Sequence, residues 1–132
     1  MVDKTILIVG TFDTKNDELE YMVERVKAMD GGVLTMDISV LGNPEKATDI
    51  SKHQVAEAAS SSIKLAIDSG DENTAMQIMA NGASTLAKSL YAKGEFDGVV
   101  ILGGTMGTDA ALDICQALPL GVPKYVVSTV SF

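Results

Sequence analysis

Cysteine occurs once, at Cys115, so the chain cannot close a disulfide on itself. No apolar run approaches the ~20 residues that cross a bilayer, and Met1–Lys4 followed by the short Ile6–Val9 run lacks the pattern of a signal peptide. These absences predict a soluble, cytoplasmic protein with no membrane partner. Basic residues are scarce, 10 against 18 acidic, and the resulting net charge of −8 disfavours nucleic acid as a partner. A mononucleotide is not excluded by that charge, because backbone N–H groups and a helix N-terminus hold phosphates without surplus lysine. No Gly-x-x-x-x-Gly-Lys-Ser/Thr, Gly-x-Gly-x-x-Gly or nucleophile-elbow sequence occurs, and no His, Cys or carboxylate cluster has metal-ligand spacing. A P-loop NTPase and an ordinary Rossmann dehydrogenase are therefore disfavoured, and neither catalytic nor metal-binding residues are assigned.

What is present reads as one domain: 132 residues, 46% apolar. Thr5–Val9, Val33–Ile38, Phe96–Leu102 and Lys124–Thr129 are short β-branched and apolar runs of the kind buried on both faces of a parallel sheet. Between them, Glu18–Met29 places Leu19, Met22, Val23, Val26 and Met29 at helical spacing, with Asp13 or Thr14 as the expected N-cap. Ser39–Asp49 reads as a loop around Gly42-Asn43-Pro44, and Ser51–Ser69 as one bent helix or two. Glu72–Lys93 repeats Met76, Met79, Ala83, Leu86 and Leu90, a core-packing stripe too short to argue for a coiled coil. Asp109–Leu118 is a helix turning Leu112, Cys115 and Leu118 toward the sheet. The alternation predicts an α/β fold: an open, doubly wound parallel sheet, Rossmann-like or flavodoxin-like, in three layers. A buried last strand expects a covering helix, so the chain reads as the N-terminal domain of a longer protein or the product of a split gene. An uncovered edge at Lys124–Thr129 also predicts a homo-oligomer.

In such sheets ligands bind beyond the carboxyl ends of the strands, where strand order reverses. Gly10-Thr11-Phe12-Asp13-Thr14-Lys15 follows the first strand and Gly103-Gly104-Thr105-Met106-Gly107-Thr108 the third, each leading into a helix. Glycines admit close backbone approach, threonines donate to phosphate or sugar oxygens, and the helix dipole favours an anion. The bland alternative is that such turns collect these residues for turn and cap geometry alone. Asp37, at the end of the second strand, stands where a carboxylate accepts from ribose hydroxyls, or else caps its own backbone. Ser128 and Thr129 add hydroxyls to the same edge or cap a turn, and Lys15 counters a phosphate or is simply solvated. His53 reads as a surface or helix-start residue and Cys115 as a small hydrophobe.

Those two loops, with Lys124 through Ser128-Thr129, resemble the largely uncharacterised family of bacterial, fungal and plant proteins that includes the tomato mosaic virus resistance protein. The likeness runs from Thr5 to Ser131. It implies a two-domain protein roughly three times this length, whose N-terminal domain binds ATP, in keeping with ~100–200 residues per domain. The site residues then transfer as Gly10–Lys15, Gly103–Thr108 and Ser128-Thr129, and the missing C-terminal domain becomes a partner. The plant member's viral partner is not carried over. The Gly103-Gly104-Thr105 turn is also similar to the Gly-Gly-Asp-Gly loops of phosphofructokinase-like and NAD kinases, without their aspartate. The expected function is thus binding of a nucleotide, ATP first, with Mg²⁺ left open. Two other readings stay open. One is an enzyme acting on a sugar phosphate or carboxylate with its acid/base groups in a missing domain. The other is a ligand-free interaction module that associates through the sheet edge or the Met-rich helix, with Met22, Met29, Met76 and Met79 compatible with adaptable packing although core burial is their commoner use.

Overall fold

The computed structural model describes residues 4–103 and 105–128. Along the chain run β1 (Thr5–Gly10), α1 (Asn16–Ala28), β2 (Gly32–Asp37), α2 (Lys52–Ala58), α3 (Ile63–Asp68), α4 (Glu72–Ala92), β3 (Gly98–Gly103), α5 (Thr105–Ala117) and β4 (Lys124–Ser128). Helices separate all the strands, which is what parallel pairing requires, and the strands form one parallel sheet in the order β2-β1-β3-β4. Thr5 stands beside Gly32, Ile6 beside Gly98 and Val100 beside Tyr125. The α/β fold predicted by the alternation is therefore present, with helices on both faces of the sheet.

Alternation along the strands divides the core in two. Leu7, Val9, Val99 and Ile101 face α2, α4 and α5 within one large apolar cluster. Ile8 and Leu102 face the opposite way, with Phe12 and with Leu19 and Val23 of α1. Order reverses between β1 and β3: the chain leaves β1 for β2 on one side and continues through β3 to β4 on the other. The carboxyl ends of β1 and β3 thus flank the switch point, and among the described residues α1 is the one helix on its face of the sheet.

Several local expectations are corrected. The N-cap of α1 is Lys15 and carries no side-chain cap bond, because the Asp13 carboxylate bonds Gly42 N–H instead and the Thr14 hydroxyl pairs with that of Thr11. Of the two readings of Ser51–Ser69 the structure has the second, with α2 and α3 broken where Ser60 takes a positive φ of 59° and Ser62 caps α3 through Leu65 N–H. Helix α5 begins at Thr105 rather than Asp109, so Thr105, Met106, Gly107 and Thr108 lie in its first turn and not in a loop. Leu112 is exposed; Ala110, Ala111, Ile114 and Leu118 form the buried stripe, with Cys115 partly buried beside it. Met29 likewise faces solvent, past the end of α1.

Candidate functional site

The turn after β1 is built on Thr11, whose carbonyl accepts from Thr14 N–H (3.2 Å) and Lys15 N–H (2.8 Å) while its hydroxyl meets that of Thr14 at 3.1 Å. Gly10 packs closely: a Cβ there would stand 2.7 Å from both terminal methyls of Leu19 and 3.2 Å from Leu102 O, so Leu19 would have to shift. Phe12, placed in the site by sequence, turns its ring into the core beside Leu19, leaving only its backbone at the strand ends. Lys15 is partly exposed and 3.9 Å from Glu18.

Asp37 ends β2 and is 1% exposed. Its Oδ1 accepts from Phe12 N–H (3.2 Å) and Ser39 N–H (2.9 Å), so the carboxylate ties the two strand ends together besides capping its own loop. The segment 39–45 then folds back over the β1–α1 turn as a strap. Gly42 N–H donates to Asp13 Oδ2 (3.1 Å) and Asn16 Nδ2 donates to Glu45 Oε2 (2.9 Å). From beneath, buried Lys52 of α2 donates its Nζ to Val40 O (3.1 Å) and Gly42 O (2.6 Å).

Four buried side-chain oxygens at this end of the sheet have no hydrogen-bond partner among the described residues: Asp13 Oδ1, Asn16 Oδ1, Asp37 Oδ2 and Ser39 Oγ. Buried polar groups are nearly always paired, so such a group calls for an explanation. Asn16, Ser39 and Lys52 were missed by sequence reading. The one usable signal was Ser51-x-x-Gln54, a capping box that starts α2 and thereby places Lys52 under the strap.

Of the other candidate residues, Thr105, Met106, Gly107 and Thr108 share the first turn of α5 next to β3, and Ser128 ends β4 in register with Gly103. Gly104 and Thr129 lie outside the described residues. His53 is exposed on α2, as expected. Among the described residues no group of three or more His, Cys, Asp or Glu could hold a metal, and no helix is long and apolar enough to cross a membrane.

An all-parallel sheet with this strand order, with loops gathered at the carboxyl ends, is a doubly wound, Rossmann-like α/β domain. The chain belongs to the UPF0261 family: residues 4–132 match the model described as the N-terminal domain of this uncharacterised protein family. It is 50% identical over 127 residues to a UPF0261 protein of Brucella suis, covering 96% of this chain and 30% of that protein. A UPF0261 protein of Clostridium tetani is 32% identical over 130 residues, 98% of this chain and 32% of its own length. The ToMV resistance protein Tm-1(GCR237) of Solanum lycopersicum is 26% identical over 147 residues, covering 96% of this chain and 19% of that protein. The chain thus spans 30% of the length of the Brucella suis relative.

Proposed function

We propose that this domain binds a nucleotide, with ATP the first candidate, at the carboxyl ends of β1, β2 and β3. The observation that carries the reading is the set of unpaired oxygens Asp13 Oδ1, Asn16 Oδ1, Asp37 Oδ2 and Ser39 Oγ. All can accept, and a buried acceptor left without a donor costs about 1–3 kcal/mol. The hydroxyls of a ribose supply donors, and Asp37 ends the strand next to β1, where ribose-accepting carboxylates stand in nucleotide-binding sheets. Asp37 is buried, so a ribose reaches Oδ2 only when the strap 39–45 shifts. Phosphates belong toward the backbone N–H groups in the first turns of α1 and α5. The N-cap of α1 offers no side-chain acceptor, whereas Ser51, Ser62 and Asp71 cap α2, α3 and α4; the carboxylates of Asp17 and Glu18 in the same turn oppose the phosphate charge.

The test is calorimetric titration of ATP, with ribose 5-phosphate as control, into wild type and Ser39→Ala. Removing the unpaired Ser39 hydroxyl leaves the fold as stable as before while weakening ATP binding roughly 5–10-fold, the worth of one hydrogen bond. Absence of heat and of any thermal shift with ATP defeats the reading. Equal binding of ribose 5-phosphate moves the ligand to a sugar phosphate.

A further inference from the structure

The two edges of the sheet are treated differently. Along β2 the chain blocks its own edge. Ile50 forms a parallel bridge with Met36, Ile50 N–H donates to Thr35 O (2.9 Å) and Asp37 N–H donates to Ile50 O (3.0 Å). Asp49 Oδ2 takes Thr35 N–H at 2.9 Å. Along β4 nothing among the described residues does the same.

Val99 N–H donates to Pro123 O (3.0 Å), which sets the ladder phase: the backbone groups of Tyr125 and Val127 face β3, and those of Val126 face outward. The side chains are open as well, Tyr125 being 72%, Val126 46% and Val127 37% exposed. Edge strands are usually protected by proline, a bulge or a projecting charge. Here the one charge, on Lys124, is folded back onto Pro119 O (2.7 Å) and Val122 O (3.3 Å).

The neighbouring sheet face is also uncovered. Helix α1 packs on β1 and β2, so in the row Ile8–Val100–Tyr125 burial falls from complete at Ile8 through partial at Val100 to open at Tyr125. At the foot of the same sheet lies a hollow of about 410 Å³ lined by Ile6, Gly98 and Pro123 together with Lys4 and Asp97. A parallel sheet needs cover on both faces. A second copy pairing β4 with β4 would satisfy the outward backbone groups and still leave Val100, Tyr125 and Val127 bare in both copies. The occupant therefore brings a strand and an apolar element together.

We propose that the β4 edge and the face beside it dock the part of the family's longer polypeptide outside this domain, which lays a strand along Val126 and an apolar cover over Val100, Tyr125 and Val127. The share covered, 30% of the Brucella suis relative, leaves ample chain for both.

Amide hydrogen exchange and light scattering test this on the 132-residue chain and on the full-length Brucella suis relative at the aligned positions. The outward Val126 amide exchanges freely in the 132-residue monomer and at least about 100-fold more slowly in the full-length polypeptide, as for an amide released only by local or global opening. Equal exchange in the two overturns the proposal. Slow exchange in the 132-residue chain overturns it too, and a doubled mass there assigns the edge to a second copy. Tyr125→Lys leaves the melting temperature of the 132-residue chain within about 1 °C, while a lysine at the aligned position lowers that of the full-length polypeptide by about 2 °C or more. Equal losses in both place the partners of Tyr125 inside this domain and refute the assignment.

Discussion

Lys52 brings an ammonium group beneath a loop, where its partners among the described residues are carbonyl oxygens, those of Val40 and Gly42. Replacing it by methionine keeps the aliphatic stem but leaves both carbonyls without their donor. Lys52→Met is expected to lower unfolding stability by about 1.5–3 kcal/mol, the range for a hydrogen bond to a charged group, and to admit protease within 39–45 at concentrations that spare wild type. Asp71 tests the opposite sign of charge. Its carboxylate accepts from the Thr74 hydroxyl and the Asn73 N–H at the start of α4, and these bonds, the hydroxyl first, hold it below the ordinary aspartate range. A carboxyl depressed in the folded state stabilises above its unfolded pKa, and that contribution is lost as pH falls through the folded value. Denaturant midpoints taken from about pH 5 down to about pH 2 should therefore fall more steeply for wild type than for Asp71→Ala. Asp37 was legible from its place at the end of a strand. Ser39 and Asn16 were not, because their significance comes from a strap that joins positions far apart in sequence.

Among the elements, α4 shows how a helix can be correctly bounded yet incompletely read. Its stripe of Met76, Met79, Ala83 and Leu86 was visible by spacing, but the decisive residue is Gly82, where a Cβ would collide with Val55 O. Helix α2 therefore lies backbone to backbone on α4, and the face that periodicity marks out is better described as Met79, Ala80, Ala83 and Ala87 buried around that contact. Gly82→Ala, normally favourable in a helix by about 1 kcal/mol, should instead destabilise by roughly 2 kcal/mol or more, as overpacking does. Urea unfolding measures it, and a gain in stability would mean that α2 yields at no cost. Strands were the easiest elements to locate, since each is a short run of β-branched and apolar residues, but the burial expected of the last strand is corrected: Tyr125, Val126 and Val127 of β4 are exposed because no described element lies beyond that edge. The start of α5 was the hardest: glycines at 103, 104 and 107 imitate a loop, while the backbone is already helical from Thr105.

For the molecule as a whole, alternation of strands and helices was enough to predict the architecture, whereas the place of the switch point between β1 and β3 came from the fold. Strand order and the strap could not be predicted in the same way, because neither leaves a periodic trace. The candidate site was half legible: its location came from Gly10 and Asp37, its inner polar atoms only from the fold. The closed β2 edge has one more consequence. With Ile50 seated against Met36, β4 is the one open strand edge among the described residues, which makes them monovalent in strand pairing. A monovalent particle can be capped, or can pair once, but it cannot propagate; end-to-end growth into a fibre through this sheet stops after the first partner.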